Sequence, residues 1–238
     1  MSNSPTAGLA RIIALGILSA VGACSRQETP PPAAPDTAPA TQAPAPAVEL
    51  NPALSPDLAA RLVRAHSPVL GPAQAPVTIT EFLDPACEGC AAFSPIVKQI
   101  QLLYPQEVRV VVRFAAFHQG SDEAVRLLEA ARQQGKFEVV LDALFERQQE
   151  WASHHAPSLE AAWKIAGESG LNLTRARRDA RTPQADAVLR QDGEDVVALK
   201  VERTPTFFVN GRSMTNFGPQ PLAELVKQEV AKSQPAQP

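Results

Sequence analysis

Residues 84–90 read DPACEGC, and the sequence on either side limits what can be built around these two cysteines. Upstream, PVTITEFLD (Pro76 to Asp84) is rich in β-branched and aromatic residues and predicts a strand. Downstream, Cys87 to Tyr104 predicts a helix, so Cys87 stands where a strand hands over to a helix. A helix start leaves N–H groups without partners and carries a partial positive charge, and both stabilise a thiolate. The first cysteine of a Cys-X-X-Cys pair so placed has its pKa lowered to roughly 3.5–7.5. Such a thiolate attacks disulfides, and Cys90, one turn on and less exposed, would resolve the mixed disulfide.

The pair has two other conceivable uses. A structural zinc site needs four ligands, and His66, His118, His154 and His155 have no zinc-finger spacing. A copper-binding pair would recruit Met214 or His118, yet the chain holds only 2 methionines. A purely structural disulfide here would close a tiny loop and stabilise little.

Elsewhere, EVRVVVRFAAF (Glu107 to Phe117) predicts a second strand, its continuous apolar run suited to a sheet covered on both faces. PTFFVNGRSM (Pro205 to Met214) predicts a third, turning at Asn210-Gly211 into a hairpin. Asp122 to Gln134 predicts a helix with Ser121 as N-cap. Phe137, Val140, Leu141, Leu144 and Trp151 recur at helical spacing, as do Leu159, Ala162, Trp163 and Ala166. Both tryptophans read as core. Thr182-Pro183 opens a long helix toward Lys200, with proline at the first helical position. Pro221 to Lys232 closes the domain. The order describes an α/β domain interrupted by a helical block.

The ends are of another kind. Residues 1–23 carry one charge, Arg11, before the apolar run IIALGILSAVGA, which is too short to span a membrane and suits an export signal. The run ends in VGAC, which resembles the lipobox of bacterial lipoproteins and implies a lipid on Cys24; simple secretion is the alternative. Ser25 after the cysteine slightly favours the outer over the inner membrane. Residues 24–54 read as a disordered linker: Thr29 to Ala47 holds seven prolines and seven alanines in 19 residues and no core-forming residue. As polyproline II it would reach about 60 Å. Residues 55–232 form one domain, and 233–238 a frayed tail. The net charge of −3 with pI near 5.8, and the lack of a basic stripe, argue against nucleic acid as a partner.

The strand–Cys-X-X-Cys–helix unit, Pro95 eight residues after Cys87, and TPTFFVNG (Thr204 to Gly211) resemble the thioredoxin superfamily. SPVLGPAQAPVTITEF, AARQQGKFEVVLDALFERQQEW and the helical block before TPTF are similar to its DsbA-like branch, the extracytoplasmic thiol:disulfide oxidoreductases. The resemblance implies a thioredoxin fold with an inserted helical domain, about 121–190, which accounts for the distance from Cys90 to Thr204. It implies Cys87 as nucleophile and Cys90 as resolving thiol, with no bound cofactor, since the cysteine pair is the redox centre. Pro205 matches the family's cis-proline, which lets Thr204 pair through its backbone with a substrate strand; only about 5–6% of X–Pro bonds are cis in folded proteins. Glu81, six residues before Cys87 and on one strand face with Val77, Ile79 and Leu83, matches a buried acid that exchanges protons with Cys90. Asp84 falls on the other face and reads as a turn residue.

Glu88 and Gly89 depart from the family's strong oxidases, which often place a histidine between the cysteines. Unit charges near 4 Å at a surface interact by about 1–4 kcal/mol, so Glu88 is expected to make the disulfide less oxidising. Arg203 reads as a solvated surface residue, and His118 as a helix-start residue beside solvent. The expected protein is a monomer, held to the periplasmic face of a membrane through Cys24, acting on protein thiols and disulfides and reset by a separate redox partner. A copper chaperone of the cell envelope is the alternative.

Overall fold

The computed structural model describes residues 48–153 and 156–234. Cys24, the expected signal segment, most of the expected linker, the end of the tail, and His154 and His155 lie outside the described residues.

The elements run α1 (Pro56–Ala59), β1 (Val69–Leu70), β2 (Val77–Leu83), α2 (Glu88–Leu103), β3 (Val108–Phe114), α3 (Ser121–Arg132), α4 (Phe137–Glu146), α5 (Gln148–Trp151), α6 (Leu159–Glu168), α7 (Leu173–Asp179), α8 (Pro183–Ala198), β4 (Thr206–Val209) and α9 (Pro219–Ser233). The strands form one sheet in the order β1-β3-β2-β4. β2 and β3 pair in parallel from Val77↔Val108 to Leu83↔Phe114, while β4 runs antiparallel to β2 with Glu81 opposite Phe207. The thioredoxin fold is therefore present, with the helices α3 to α8 lying between β3 and β4 in the chain.

The sheet is covered on both sides, which is why its central strands read as apolar runs. Val77, Ile79, Leu83, Val110, Val112 and Phe207 meet α2, α9 and the helical block on one side, where Trp151 and Trp163 are core as expected. Phe82, Ala115 and Phe208 meet Val196, Leu199 and Val201 on the other. A fully buried charge interrupts this second face. Arg113 is fully buried on β3 and donates to Asp192 (3.0 and 2.7 Å) and Asp195 (2.7 Å) of α8. Arg61 (2.9 Å) and Arg64 (2.7 Å) complete the Asp195 cluster, and the Arg113 guanidinium lies 5.3 Å from the Phe82 ring centre. A buried ion cluster like this holds α8 to the sheet only while every charge keeps its partner.

Three local expectations need correction. Ser121 does not cap α3: Gly120, at φ 81°, takes the N-cap position, and the Ser121 hydroxyl turns inward to donate to Asp84. The hairpin after β4 turns at Asn210 and Gly211, both with positive φ, but its return is only the bridge of Arg212 to Val209. Residues before Ser55, read as linker, also pack on the domain, because the Asn51 N–H donates to Ser213 (2.9 Å) and the Thr215 N–H to Glu49 (3.0 Å). Leu50 pairs with Met214 there, so the extended segment 49–51 takes the place of a longer hairpin strand.

Candidate active site

β2 ends at Leu83, and five residues later α2 begins with Cys87 in the N-cap position, extended at φ −80° and ψ 121°. No side-chain oxygen occupies the cap, so the first N–H groups of α2 are directed toward the sulfur's side of the turn. Cys87 is nearly buried at 7% exposure, with its Sγ 3.3 Å from the Thr204 carbonyl oxygen. The Thr204–Pro205 bond is cis. Gly89 lies under this loop: a Cβ built there would stand 3.3 Å from Pro205 Cδ and 3.5 Å from both Cys87 Sγ and the Thr204 oxygen. Cys90 is fully buried one turn along, its sulfur accepting from the Asp84 N–H at 3.4 Å.

The two thiols, both unbridged, are electrostatically unlike. The hydrogen bond from Cys90 is the largest influence on Cys87. With the Thr204 side chain and the N–H groups of Cys90 and Gly89 it outweighs burial and pulls the Cys87 thiol down to about 5. Burial pushes the Cys90 thiol far above the ordinary range, reinforced by its bond to Cys87 and the charge of Glu81. Glu81 is buried on the sheet face beneath the motif; desolvation, and secondarily the Cys87 charge, push it up to about 8. A thiol that ionises readily, a protonated thiol and a buried acid thus lie close enough to influence one another's charge.

Two functional contributors escaped sequence reading. Asp84 is more than a turn residue. Its carboxylate is fully buried and accepts from the N–H groups of Ala86 (2.8 Å), Phe117 (2.7 Å) and His118 (2.9 Å), from the Ser121 hydroxyl, and at 2.8 Å from His118 Nδ1. Gln148, buried at the start of α5, donates Nε2 to the carbonyls of Pro85 (3.0 Å) and Cys87 (3.1 Å) and ties the helical block to the motif. Its signal was present: Gln148 continues the stripe of Leu141 and Leu144, a polar residue on an apolar helix face. Glu88 and Arg203 are exposed, and Met214 pairs with Leu50 rather than with the thiols. Among the described residues no cluster of three histidine, cysteine or acidic side chains could hold a metal ion.

A low-pKa thiol at a helix start, a second, fully buried thiol and a cis-proline loop facing them therefore meet at one end of the sheet. Residues 64–228 match the family described as thioredoxin, and the chain belongs to it. A thioredoxin-like oxidoreductase from Silicibacter pomeroyi superposes with a TM-score of 0.64 at 28% identity, covering 76% of this chain and 100% of that one. BdbD from Bacillus subtilis (TM-score 0.61, 24% identity, 70% and 94% covered) and α-DsbA1 from Wolbachia pipientis (0.64, 16%, 73% and 96%) share the fold. Among curated proteins, a Na(+)/H(+) antiporter NhaA of Herminiimonas arsenicoxydans is 33% identical over 146 residues, 61% of this chain. The chain spans only 22% of that relative's length.

Proposed function

We propose that this protein is an extracytoplasmic thiol:disulfide oxidoreductase working through Cys87 and Cys90. In the reducing direction the Cys87 thiolate attacks a substrate disulfide, forms a mixed disulfide and expels a substrate thiolate. Cys90 then gives up its proton, with Glu81 as the nearby acceptor, and attacks Cys87. The second substrate thiolate leaves, and the Cys87–Cys90 disulfide remains. The oxidising direction runs the same steps backward, two electrons passing from substrate dithiol to disulfide. Thr204 and Pro205 would dock the substrate main chain, a mode that tolerates many sequences.

The observation that carries this reading is the 3.3 Å approach of Cys87 Sγ to the Thr204 carbonyl, beside cis-Pro205 and over a fully buried Cys90. A Cys87 thiol near 5 supports an intermediate potential. The corresponding thiol sits at about 3.5 in the strongly oxidising DsbA and at about 7 in the reducing thioredoxin. Export, a lipid on Cys24, periplasmic placement favouring the outer membrane, monomeric state and a separate resetting partner belong to the same proposal and rest on the sequence. Trapping tests it: Cys90→Ala expressed in cells should accumulate reductant-sensitive adducts with client proteins, and Cys87→Ala/Cys90→Ala should not. Absence of adducts from the single variant would contradict the proposal.

A further inference from the structure

The Asp84 carboxylate draws its donors from two places. Ala86 belongs to the cysteine loop; Phe117, His118 and Ser121 belong to the turn between β3 and α3. The main-chain and hydroxyl donors suffice to pin that turn against the loop. The imidazole is a further partner: its Nδ1, 2.8 Å from Asp84 Oδ2, ties the ring to the loop that leads into α2, and the ring shares a small cavity with Ala86 of that loop. Its side chain is one-third exposed. The charges acting on the ring include those of Asp84 from the loop and of Cys87 and Glu88 from the helix start. Beside it lies a cavity of about 40 Å³ whose other lining residues, Ala86, Gln119, Ala152 and Ser153, are uncharged. Burial alone would lower the His118 pKa, but the Asp84 hydrogen bond and these negative charges together raise it above the ordinary value.

We propose that His118, clamped by Asp84, is a positioning residue that holds an imidazolium beside the start of α2, offsets Glu88 and stabilises the Cys87 thiolate from outside the dipeptide between the cysteines. The inference rests on the exchange activity proposed above. It explains how a chain with an acidic residue next to its nucleophile still presents a reactive sulfur. It also makes the coupling reciprocal: a proton on His118 favours charge on Cys87 to the same degree that the charge favours the proton.

Two measurements on the full-length chain test it. Histidine NMR titration of the unmodified protein should give His118 a pKa higher in the reduced form than in the disulfide form by about half a unit or more; equal values would overturn the inference. His118→Gln keeps a donor for Asp84 but carries no charge. In that variant the midpoint of Cys87 alkylation should rise by about one unit, and the dithiol–disulfide equilibrium with glutathione should move about tenfold toward the disulfide, or ~30 mV. An unmoved midpoint in a folded variant would overturn it, and if the variant does not fold the NMR comparison decides. An unmodified protein that exchanges disulfides while both readouts stay still defeats this inference alone. One that exchanges none defeats the exchange reading and this inference with it.

Discussion

Gly89 carries no side chain where a Cβ would stand 3.3 Å from Pro205 Cδ. A Cβ there would touch the proline ring closely, and a branched side chain would reach further into the gap between the cysteine helix and the proline loop, beside Cys87. Gly89→Leu should lower kcat/KM for a disulfide-bonded protein by about 10- to 100-fold, because small displacements at a reacting centre carry costs of that size. Alkylation of Cys87 by iodoacetamide, a small probe, should change far less. Parallel kinetics with a protein substrate and with the probe check this.

Glu81 gives a signed pH dependence. Its carboxyl sits near 8 in the fold, against 4.5 as the ordinary value. Between these the folded chain keeps a proton that the unfolded chain has released, so stability falls as pH rises through that window. Glu81→Gln should remove this slope and stabilise the reduced protein at pH 7 by roughly 1–3 kcal/mol. It should also slow resolution of the mixed disulfide by about 10²-fold, the usual scale for a lost acid–base group. Urea unfolding at pH 5 and pH 7, with stopped-flow kinetics, reads both effects.

Gln148 links the helical block to the carbonyl of Cys87 itself. Gln148→Leu leaves the carbonyls of Pro85 and Cys87 without this donor and should cost about 1–3 kcal/mol. Chemical denaturation checks the magnitude. The alkylation rate of Cys87 should fall with it, since the loop that presents the sulfur is loosened.

What could be read in advance depended on how local each signal was. Cys87, Cys90 and Pro205 carry their roles in short contiguous stretches, and the apolar runs of β2 and β3 announce a sheet buried on both faces. Asp84 gave no such signal, because four of its five donors lie 33 to 37 residues away and meet it only after β3 pairs with β2. Arg113 is one of two arginines in the β3 run, and its partners Asp192 and Asp195 lie on α8, 79 and 82 residues further along the chain, so the sequence did not mark it as buried. The short helix α7 was missed because LTRARRD, with 3 arginines in 7 residues, has little apolar periodicity; Asn172 caps it by accepting from Arg175 at 2.9 Å.

The Arg113 cluster predicts acid sensitivity. Burial opposes the charge on Asp195, but hydrogen bonds from Arg64, Arg113 and Arg61 hold its carboxyl well below the usual range. A depressed folded pKa contributes stability above the unfolded value near 3.9 and loses it as pH falls below that value. Asp195→Asn should cost about 3–5 kcal/mol at pH 7 by leaving buried Arg113 partly unpaired. It should also flatten the fall in stability below about pH 4. Thermal unfolding across pH 3–7 reads both.

The potential of the pair should lie between the roughly −270 mV of thioredoxin and the roughly −120 mV of the strongest oxidant of the class. Equilibration with glutathione buffers measures it, and a value as oxidising as about −120 mV would contradict the role assigned to Glu88.

The central claim is that Cys87 is ionised at neutral pH because Cys90, Thr204 and the first N–H groups of α2 direct hydrogen bonds at its sulfur. Its most direct test is the pH dependence of iodoacetamide alkylation of the reduced, unmodified protein, with the labelled cysteine located by peptide mass. A midpoint near 5 for Cys87, with Cys90 unlabelled, is the predicted result. A midpoint near about 8.5, that of free cysteine, would contradict it.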